Sequence, residues 1–306
     1  MSYFYGNYIL YQFYNETSIS WEVIKIENIK LEPPCTYQGG KQRVAKEIVN
    51  YIYQTTPIYK DTKFFDLCCG SGAITIELLN RGFPKENITM CDISSWGTFW
   101  KAIGNGTYNL SKFLSYANAV PRDKNLVQSH ITKLSKENAT IDEEYKYPLI
   151  QASSFGGKQI WREHNEWKNT SFRNYWQPTE TSKRRSPVNP MMPSIEILTE
   201  RITKIALYCK GVTCINDDIY SVLPLLPTEN CIVYIDPPYK STTKYGFTFD
   251  YNDLISKVFD VTLSPVFVSE KEPFSDEAVR LNFNGAKGGI NGNKSGKNEE
   301  WLNVFR

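Results

Sequence analysis

KFFDLCCGSGAITIELL, residues 63–79, decides the fold, because it passes from a strand to a helix through a glycine-rich turn. Residues 63–67 have the apolar and aromatic content of a buried strand, and residues 73–79 have a helical pattern. Gly70 and Gly72 allow a tight turn and a close approach of the backbone to a ligand. A second strand-like run at residues 88–93 completes a β-α-β unit. The stretch therefore predicts an α/β fold.

The other helices and strands of this fold lie on both sides of a long polar segment. Helical periodicity is found at residues 42–53 and again at residues 195–207. Strand-like runs follow at residues 211–215, 231–235 and 265–268. Between the two halves, the sequence is polar and aromatic without clean alternation. We therefore predict that an α/β domain, made of residues 1–94 and 195–306, is interrupted by a mainly helical and loop insert at residues 95–194.

Length and composition are those of an ordinary globular protein. The chain has 306 residues, of which 41% are hydrophobic and 22% charged, enough for one large domain or two smaller ones. Its 35 basic and 33 acidic residues give a formal charge of +2. Any contact with nucleic acid must therefore come from local basic patches. We predict short strands or an extended arm for residues 1–34 and a loop for residues 282–300.

The sequence argues against a membrane span, a disulfide framework and a metal site. Every apolar run is shorter than the roughly 20 residues that cross a bilayer, and the start of the chain, MSYFYGNYIL, lacks the basic region of a signal peptide. We therefore expect a cytoplasmic protein without membrane contact. The seven cysteines lie mostly in apolar runs, which favours reduced core thiols. With two histidines and no CxxC pair, we expect no bound metal.

The glycine-rich turn is a candidate site for a ligand that carries a nucleoside, since the helix N-terminus offers free N–H groups. It lacks the third glycine of the usual dinucleotide fingerprint. Asp66 precedes the glycines, where a carboxylate would repel a pyrophosphate and attract an ammonium group. These features favour S-adenosylmethionine over NAD. Asp92 ends the next strand and is placed to bind ribose hydroxyls. Asp217 or Asp218 could meet an adenine amino group, although either is also typical of a solvated turn.

Asp236-Pro237-Pro238-Tyr239, which follows the apolar run at residues 231–235, is a second candidate site. Proline fixes its own φ, favours an extended residue before it and has no N–H. The turn therefore presents carbonyl acceptors beside the acceptor-only carboxylate of Asp236, and Tyr239 adds a ring for stacking. Such a group suits the exocyclic amino group of a planar base. Taken alone, the four residues are equally typical of a strand that ends in a proline-rich turn.

Together these motifs resemble the S-adenosylmethionine-dependent DNA adenine N6-methyltransferases, particularly Dam-type enzymes and their phage relatives. The resemblance covers most of the chain after about residue 35. It rests on Tyr37-Gln38-Gly39-Gly40-Lys41, on residues 66–72, on Asp92 and on residues 236–239. Their order, with a long insert before the last motif, is that of the alpha group, whose insert recognises the target sequence. Cys68-Cys69 departs from the family, since many members carry a Phe in the glycine-rich motif.

The resemblance implies a Rossmann-like methyltransferase sheet and methyl transfer from S-adenosylmethionine to N6 of a flipped adenine in double-stranded DNA. It implies four catalytic residues, Asp236, Pro237, Pro238 and Tyr239. The expected cofactor-binding residues are Tyr37, Gly39, Gly40, Lys41, Asp66, Cys68, Gly70, Ser71, Gly72, Asp92, Ile93, Asp217 and Asp218. The expected DNA-binding residues of the insert are Lys158, Arg162, Arg173, Lys183, Arg184 and Arg185.

Other activities and partners are compatible with the same motifs. An RNA or cytosine-N4 methyltransferase is one alternative, because related Asp-Pro-Pro-Tyr motifs serve other planar amino groups. A non-catalytic DNA-binding relative is another, although the intact Asp236 and glycine-rich turn argue against it. The resemblance also allows a cognate restriction endonuclease as a partner. For any single basic residue of the insert, a solvated loop beside a local aromatic core is the simpler interpretation.

Overall fold

The computed structural model describes residues 2–5, 8–15, 18–25, 29–238, 250–281 and 300–306, and for residues 2–25 it describes only the backbone. The chain divides into two compact units, Met1–Leu31 and Glu32–Arg306. Among the described residues, no helix combines the length and the apolar character that a bilayer span requires.

The first unit is a three-stranded antiparallel sheet. Its strands are β1 (Ser2–Tyr5), β2 (Tyr8–Asn15) and β3 (Ser18–Lys25), and β2 lies in the middle. Tyr5 pairs with Tyr8 and Asn15 pairs with Ser18, so both connections are tight hairpins. The prediction of short strands in this part of the chain is confirmed.

The second unit contains a mixed seven-stranded sheet. Its strands are β4 (Lys63–Leu67), β5 (Ile88–Cys91), β8 (Thr213–Ile215), β9 (Cys231–Ile235), β10 (Val266–Glu270), β11 (Glu277–Arg280) and β12 (Trp301–Phe305), and a separate hairpin consists of β6 (Trp161–Glu163) and β7 (Glu166–Lys168). The strand order is β11-β12-β10-β9-β4-β5-β8. The five strands β10, β9, β4, β5 and β8 are parallel to one another. At one end of the sheet, β12 pairs antiparallel with β10, and β11 pairs antiparallel with β12. The predicted α/β fold is confirmed.

Eight α-helices accompany the sheets in the described part of the chain. They are α1 (Ala45–Thr55), α2 (Ala73–Asn80), α3 (Ser95–Asn105), α4 (Leu110–Ala119), α5 (Lys124–Leu134), α6 (Glu143–Ala152), α7 (Ile195–Tyr208) and α8 (Tyr251–Phe259). Short 3-10 helices cover Lys85–Asn87, Phe155–Gly157 and Ile219–Leu225. Helix α1 begins later than its apolar stripe predicts, because the residues just before it form turns on the carbonyl of Lys41.

The core lies around the two central strands. Every residue of β9 and all of β4 except its first are buried. Parallel strands that are covered on both faces are mostly apolar, which is the pattern of β9 and, apart from Lys63 and Asp66, of β4. On one face, Leu67 and Val233 pack with Val222 of the 3-10 helix and Val258 of α8. This packing fixes the strand ends at which the polar motifs emerge.

The register of the sheet brings those strand ends to one edge. Leu67 at the end of β4 pairs with Cys91 of β5 and with Ile235 of β9. The carboxyl ends of parallel strands point the same way, so the glycine-rich turn, Asp92 and Asp236 all follow the sheet at this edge. Ligands of open α/β sheets bind outside this edge.

Helix α3 packs against strand β8 and also against helix α6. Two glycines allow α3 to approach the backbone around β5 and β8 closely. A Cβ at Gly97 would lie 1.9 Å from the carbonyl oxygen of Asp92, and a Cβ at Gly104 would lie 2.0 Å from that of Val212. The predicted insert at residues 95–194 therefore begins with a helix that contacts the sheet, and its exact boundary stays a prediction.

Candidate functional site

A cavity of about 330 Å³ opens at the carboxyl edge of the sheet. Almost all of the residues predicted to bind a cofactor line it. They are Tyr37, Gly39, Gly40, Lys41, Asp66, Cys68, Gly70, Ser71, Asp92, Ile93, Asp217 and Asp218. The structure thus brings four separate stretches of the chain together around one space.

Gly72 is the member of the predicted cofactor-binding set that does not line this cavity. Its backbone is left-handed, with φ of 77°, and a Cβ there would lie 2.2 Å from the indole ring of Trp100. A direct approach of the Gly72 backbone to a ligand stays a prediction. Gly72 is required because Trp100 packs against the turn.

Asp92 holds the glycine-rich turn in its shape. One of its oxygens, Oδ2, accepts a hydrogen bond from the backbone N–H of Gly70 at 2.7 Å. The other, Oδ1, accepts from the N–H of Ser94 at 2.8 Å and from its hydroxyl at 2.5 Å. Burial raises the pKa of Asp92, and these hydrogen bonds oppose the shift. Asp92, which is predicted to bind the ribose hydroxyls, therefore also has a structural role.

Asp66 is fixed by the first turn of α2. Its Oδ2 accepts hydrogen bonds from the backbone N–H of Thr75 at 3.1 Å and from the Thr75 hydroxyl at 2.7 Å. Burial raises its pKa to about 7, although both hydrogen bonds lower it. The side chain was predicted to attract an ammonium group. In the structure it lines the cavity, but one of its oxygens is already engaged by Thr75.

Asp236 lies in a compact group of charges with Lys41 and Glu300. The ammonium nitrogen of Lys41 is 2.5 Å from Oδ1 of Asp236 and 3.5 Å from Oε1 of Glu300, and it also donates to the carbonyl of Gly39 at 2.7 Å. The side chain of Lys41 is 4% exposed and that of Asp236 is 16% exposed, so the pair is largely buried. The N-terminal motif thus contacts the carboxylate of the Asp-Pro-Pro-Tyr motif directly.

The charges of this group influence each other strongly. Burial raises the pKa of Asp236 to about 7, since the effect of Glu300 adds to it and Lys41 only partly offsets it. Burial would lower the pKa of Lys41, but Asp236 and Glu300 together raise it above its ordinary value. Asp236 therefore titrates close to neutral pH while Lys41 stays protonated.

The rest of the Asp-Pro-Pro-Tyr motif is described in part. Pro237 and Pro238 line the cavity beside Asp236. Tyr239, the fourth predicted catalytic residue, lies outside the described residues. The predicted loop at residues 282–300 lies outside them as well, apart from Glu300.

Asp217 and Asp218 line the cavity after strand β8. Asp218 also caps the following 3-10 helix, because its Oδ1 accepts from the N–H of Tyr220 at 3.0 Å. Their neighbour Asn216 was not predicted to matter. Its amide donates to the carbonyl oxygens of Asp92 at 2.9 Å and of Ser94 at 3.2 Å, which ties the loop after β8 to the loop after β5.

Gln159 is a cavity residue that the sequence did not reveal. It belongs to the insert and follows Gly156 and Gly157, whose φ angles are 69° and 71°. The carbonyl of Gly157 accepts a hydrogen bond from the N–H of Gln38 at 2.8 Å. The glycine pair forms a turn against the loop of Tyr37. That pair was the available signal.

The predicted DNA-binding residues are in different environments. Lys158, Lys183, Arg184 and Arg185 are exposed, and the two arginines donate to nearby carbonyls of Ser186 and Glu180. Arg162 is paired with Glu143 at 3.0 Å. Arg173 is only 9% exposed. Such a residue offers little surface to a phosphate, and the assignment of Arg173 to DNA binding stays a prediction.

The electrostatic character of the cavity is acidic. Among the residues that the structure describes, five aspartates and one lysine line it. Such a lining attracts a cationic ligand and disfavours a pyrophosphate. Asp236, Pro237 and Pro238 are among its lining residues, and a carboxylate and proline carbonyls are hydrogen-bond acceptors.

Comparison with known proteins places these features in one family. A family model described as D12 class N6 adenine-specific DNA methyltransferase matches residues 37–264, about three quarters of the chain. The matched span includes the loop of Tyr37, the glycine-rich turn, Asp92 and Asp236. A search of curated proteins found no match.

Proposed function

Because the chain belongs to the D12 class of N6 adenine-specific DNA methyltransferases, we propose that its cavity binds S-adenosylmethionine and that Asp236 and Pro237 receive the target adenine. The family makes the protein an enzyme that methylates adenine in DNA. It decides against the cytosine-N4, RNA and non-catalytic alternatives. The donor, the roles of the residues and the function of the insert are the proposal.

The acidic lining of the cavity supports S-adenosylmethionine as the methyl donor. This molecule carries a sulfonium and an ammonium group, and Asp66, Asp92 and Asp236 would lie around it. A dinucleotide would bring a pyrophosphate to the same carboxylates. Asp92, Ile93, Asp217 and Asp218 would hold the nucleoside, because they follow the outer strands β5 and β8. The remaining cavity residues of the predicted set would hold the amino-acid end, whereas Gly72 acts through Trp100.

Asp236 beside Lys41 at the cavity wall is the observation that carries the proposed mechanism. The lone pair of adenine N6 is delocalised into the ring, so the amino group must be held in its localised form. The carboxylate of Asp236 and the carbonyl of Pro237 accept its two N–H bonds, and these hydrogen bonds strengthen as positive charge develops on nitrogen. When bound, S-adenosylmethionine supplies an electrophilic methyl group. The rigid proline turn positions the amino group for attack on it.

Base flipping and stacking complete the proposal. Adenine N6 cannot be reached inside a stacked duplex, so the base must leave the helix before it meets Asp236. Tyr239 follows Pro238 directly and would stack on the extruded base. We assign target recognition to the insert at residues 95–194, with Lys158, Arg162, Lys183, Arg184 and Arg185 as phosphate or base contacts. A cognate restriction endonuclease is compatible with this activity, which would take place in the cytoplasm with the cell's DNA.

The decisive experiment is transfer of labelled methyl groups from S-adenosylmethionine to duplex DNA. We expect label in N6-methyladenine with the wild-type protein and none with Asp236→Ala, while calorimetry shows that both proteins bind S-adenosylhomocysteine. Label in N4-methylcytosine would contradict the adenine assignment. Normal DNA binding without any binding of S-adenosylhomocysteine would contradict the proposed donor.

A further inference from the structure

Two buried polar atoms in the cavity wall lack partners. They are the hydroxyl oxygen of Ser71, in the glycine-rich turn, and the amide oxygen Oε1 of Gln159, in the insert. Ser71 is 2% exposed and Gln159 is 4% exposed, and neither atom has a hydrogen-bond partner among the described residues. Buried polar atoms are nearly always satisfied in folded proteins. Two such atoms on residues that line one cavity indicate the polar groups of a ligand.

The backbone around Gln159 is firmly held, although the end of its side chain is not. Gln151 accepts a hydrogen bond from the N–H of Ile160 at 3.0 Å and donates to the carbonyl of Lys158 at 2.9 Å. The side-chain amide of Asn169 donates to the carbonyl of Gln159 at 2.7 Å. The structure therefore fixes the backbone at Gln159 before any ligand binds and leaves its side-chain amide oxygen without a protein partner.

The Ser71 hydroxyl and the backbone segment that leads to Gln159 both lie at the loop that contains Tyr37 and Gly40. The hydroxyl of Ser71 is 3.7 Å from the position that a Cβ at Gly40 would take. The segment before Gln159 reaches the same loop through the hydrogen bond from Gln38 to Gly157, at 2.8 Å. The carboxylates proposed for the nucleoside follow β5 and β8 instead. Ser71 and Gln159 thus belong to the side of the cavity that we assign to the amino-acid end of the donor.

We infer that Ser71 and Gln159 bind the amino-acid group of the methyl donor. A zwitterionic amino acid has one donor group and one acceptor group. The Ser71 hydroxyl donates to its α-carboxylate, and the amide oxygen of Gln159 accepts from its α-ammonium. The insert then contributes directly to the donor site in addition to its proposed role in DNA recognition. This inference rests on the proposed function, since it specifies how the same cavity holds the same donor.

Calorimetry with two ligands tests the inference without measuring turnover. S-adenosylhomocysteine carries the amino-acid group, whereas 5′-methylthioadenosine has the same nucleoside and thioether without it. Gln159→Leu should weaken the binding of S-adenosylhomocysteine about tenfold to a hundredfold, because a hydrogen bond to a charged group is removed. Ser71→Ala should act in the same direction. Binding of 5′-methylthioadenosine, measured by competition, should stay within about twofold of wild type for both variants.

The matched control is Gln177→Leu, the same change at an exposed glutamine of the insert, which should leave both affinities unchanged. Equal losses for the two ligands would overturn the inference, because Gln159 would then act on the nucleoside or on the fold. Unchanged affinity for S-adenosylhomocysteine in both variants would overturn it as well. If the wild-type protein binds neither ligand, the proposed donor itself fails, so the two failures are distinguishable.

Discussion

At the residue scale, the most informative side chain is Asp236, because two neighbours shift its pKa in opposite directions. Lys41 favours the carboxylate, whereas burial and Glu300 favour the neutral acid. The neutral acid accepts hydrogen bonds less well from an amino group than the carboxylate does. The protonation state of Asp236 should therefore limit the enzyme at low pH.

We expect kcat/KM for methyl transfer to rise as pH increases through about 7, the pKa of Asp236. Lys41→Gln removes the group that lowers this pKa, so the acid limb of the profile should move to higher pH. Glu300→Gln removes a group that raises it, and the limb should move to lower pH. Profiles of kcat/KM against pH for the wild type and both variants measure both shifts. Shifts in the same direction, or none, would show that another group controls the limb.

A second prediction at this scale concerns the effect of Gly72 on stability. Its φ is 77° and a Cβ would meet the Trp100 ring at 2.2 Å, whereas Gly82 has φ of 81° and open space for 4 Å around the position that a Cβ would take. Gly82→Ala should cost only the left-handed strain, roughly 1–2 kcal/mol. Gly72→Ala should cost roughly 1–3 kcal/mol more, because the ring must move. Urea unfolding of both variants measures the loss of unfolding free energy. Equal losses would mean that the Trp100 ring moves aside without a measurable cost.

At the element scale, the sequence was most informative where structure depends on local pattern. The buried strands β4, β5, β9 and β10 are short apolar runs, and the turn after β4 needs glycines for its backbone angles. The edge strand β11, its neighbour β12 and the hairpin of β6 and β7 escaped prediction. Their residues are mixed in polarity, and a strand of this kind is defined by its partner. Such pairing is not visible in a single segment.

The basic segment of residues 183–185 provides a prediction for a whole element. Replacing Lys183, Arg184 and Arg185 with alanine should weaken DNA binding and reduce the slope of log K against log salt by about 0.9 for each phosphate that the variant no longer neutralises. Lys257→Ala, on α8 outside the insert, is an exposed control that pairs with Asp253. Fluorescence anisotropy at several salt concentrations measures the slopes. An unchanged slope in the triple variant would remove this segment from the DNA interface.

At the scale of the whole molecule, the site depends on contacts that no local pattern contains. The motifs and their order predicted which stretches meet at the sheet edge. The pairing of Lys41 with Asp236 joins residues that are far apart in the chain, at 2.5 Å. Gln159 enters the same cavity from the insert. These contacts follow from strand register and from the path of the insert, so only the folded chain reveals them.

The stability of the whole protein should also carry the signature of its buried acids. Asp66 and Asp236 both have a pKa of about 7 in the folded state, against an ordinary value of 3.8. Between these values the folded protein binds more protons than the unfolded chain. The stabilisation from these two acids is therefore fully present below about pH 4 and is lost as pH rises through 7.

We accordingly expect a smaller free energy of unfolding at pH 8 than at pH 5. Burial lowers the pKa of His130, so this group makes the free energy of unfolding rise with pH. It is one group against the two carboxylates. The acids whose pKa is lowered, such as Asp142 and Glu277, titrate below this window. Urea unfolding from pH 5 to pH 8 measures the slope, and the double variant Asp66→Asn, Asp236→Asn should flatten it. Greater stability at pH 8 in the wild type, or an unchanged slope in the double variant, would mean that the two carboxylates are not protonated in the folded state at pH 5.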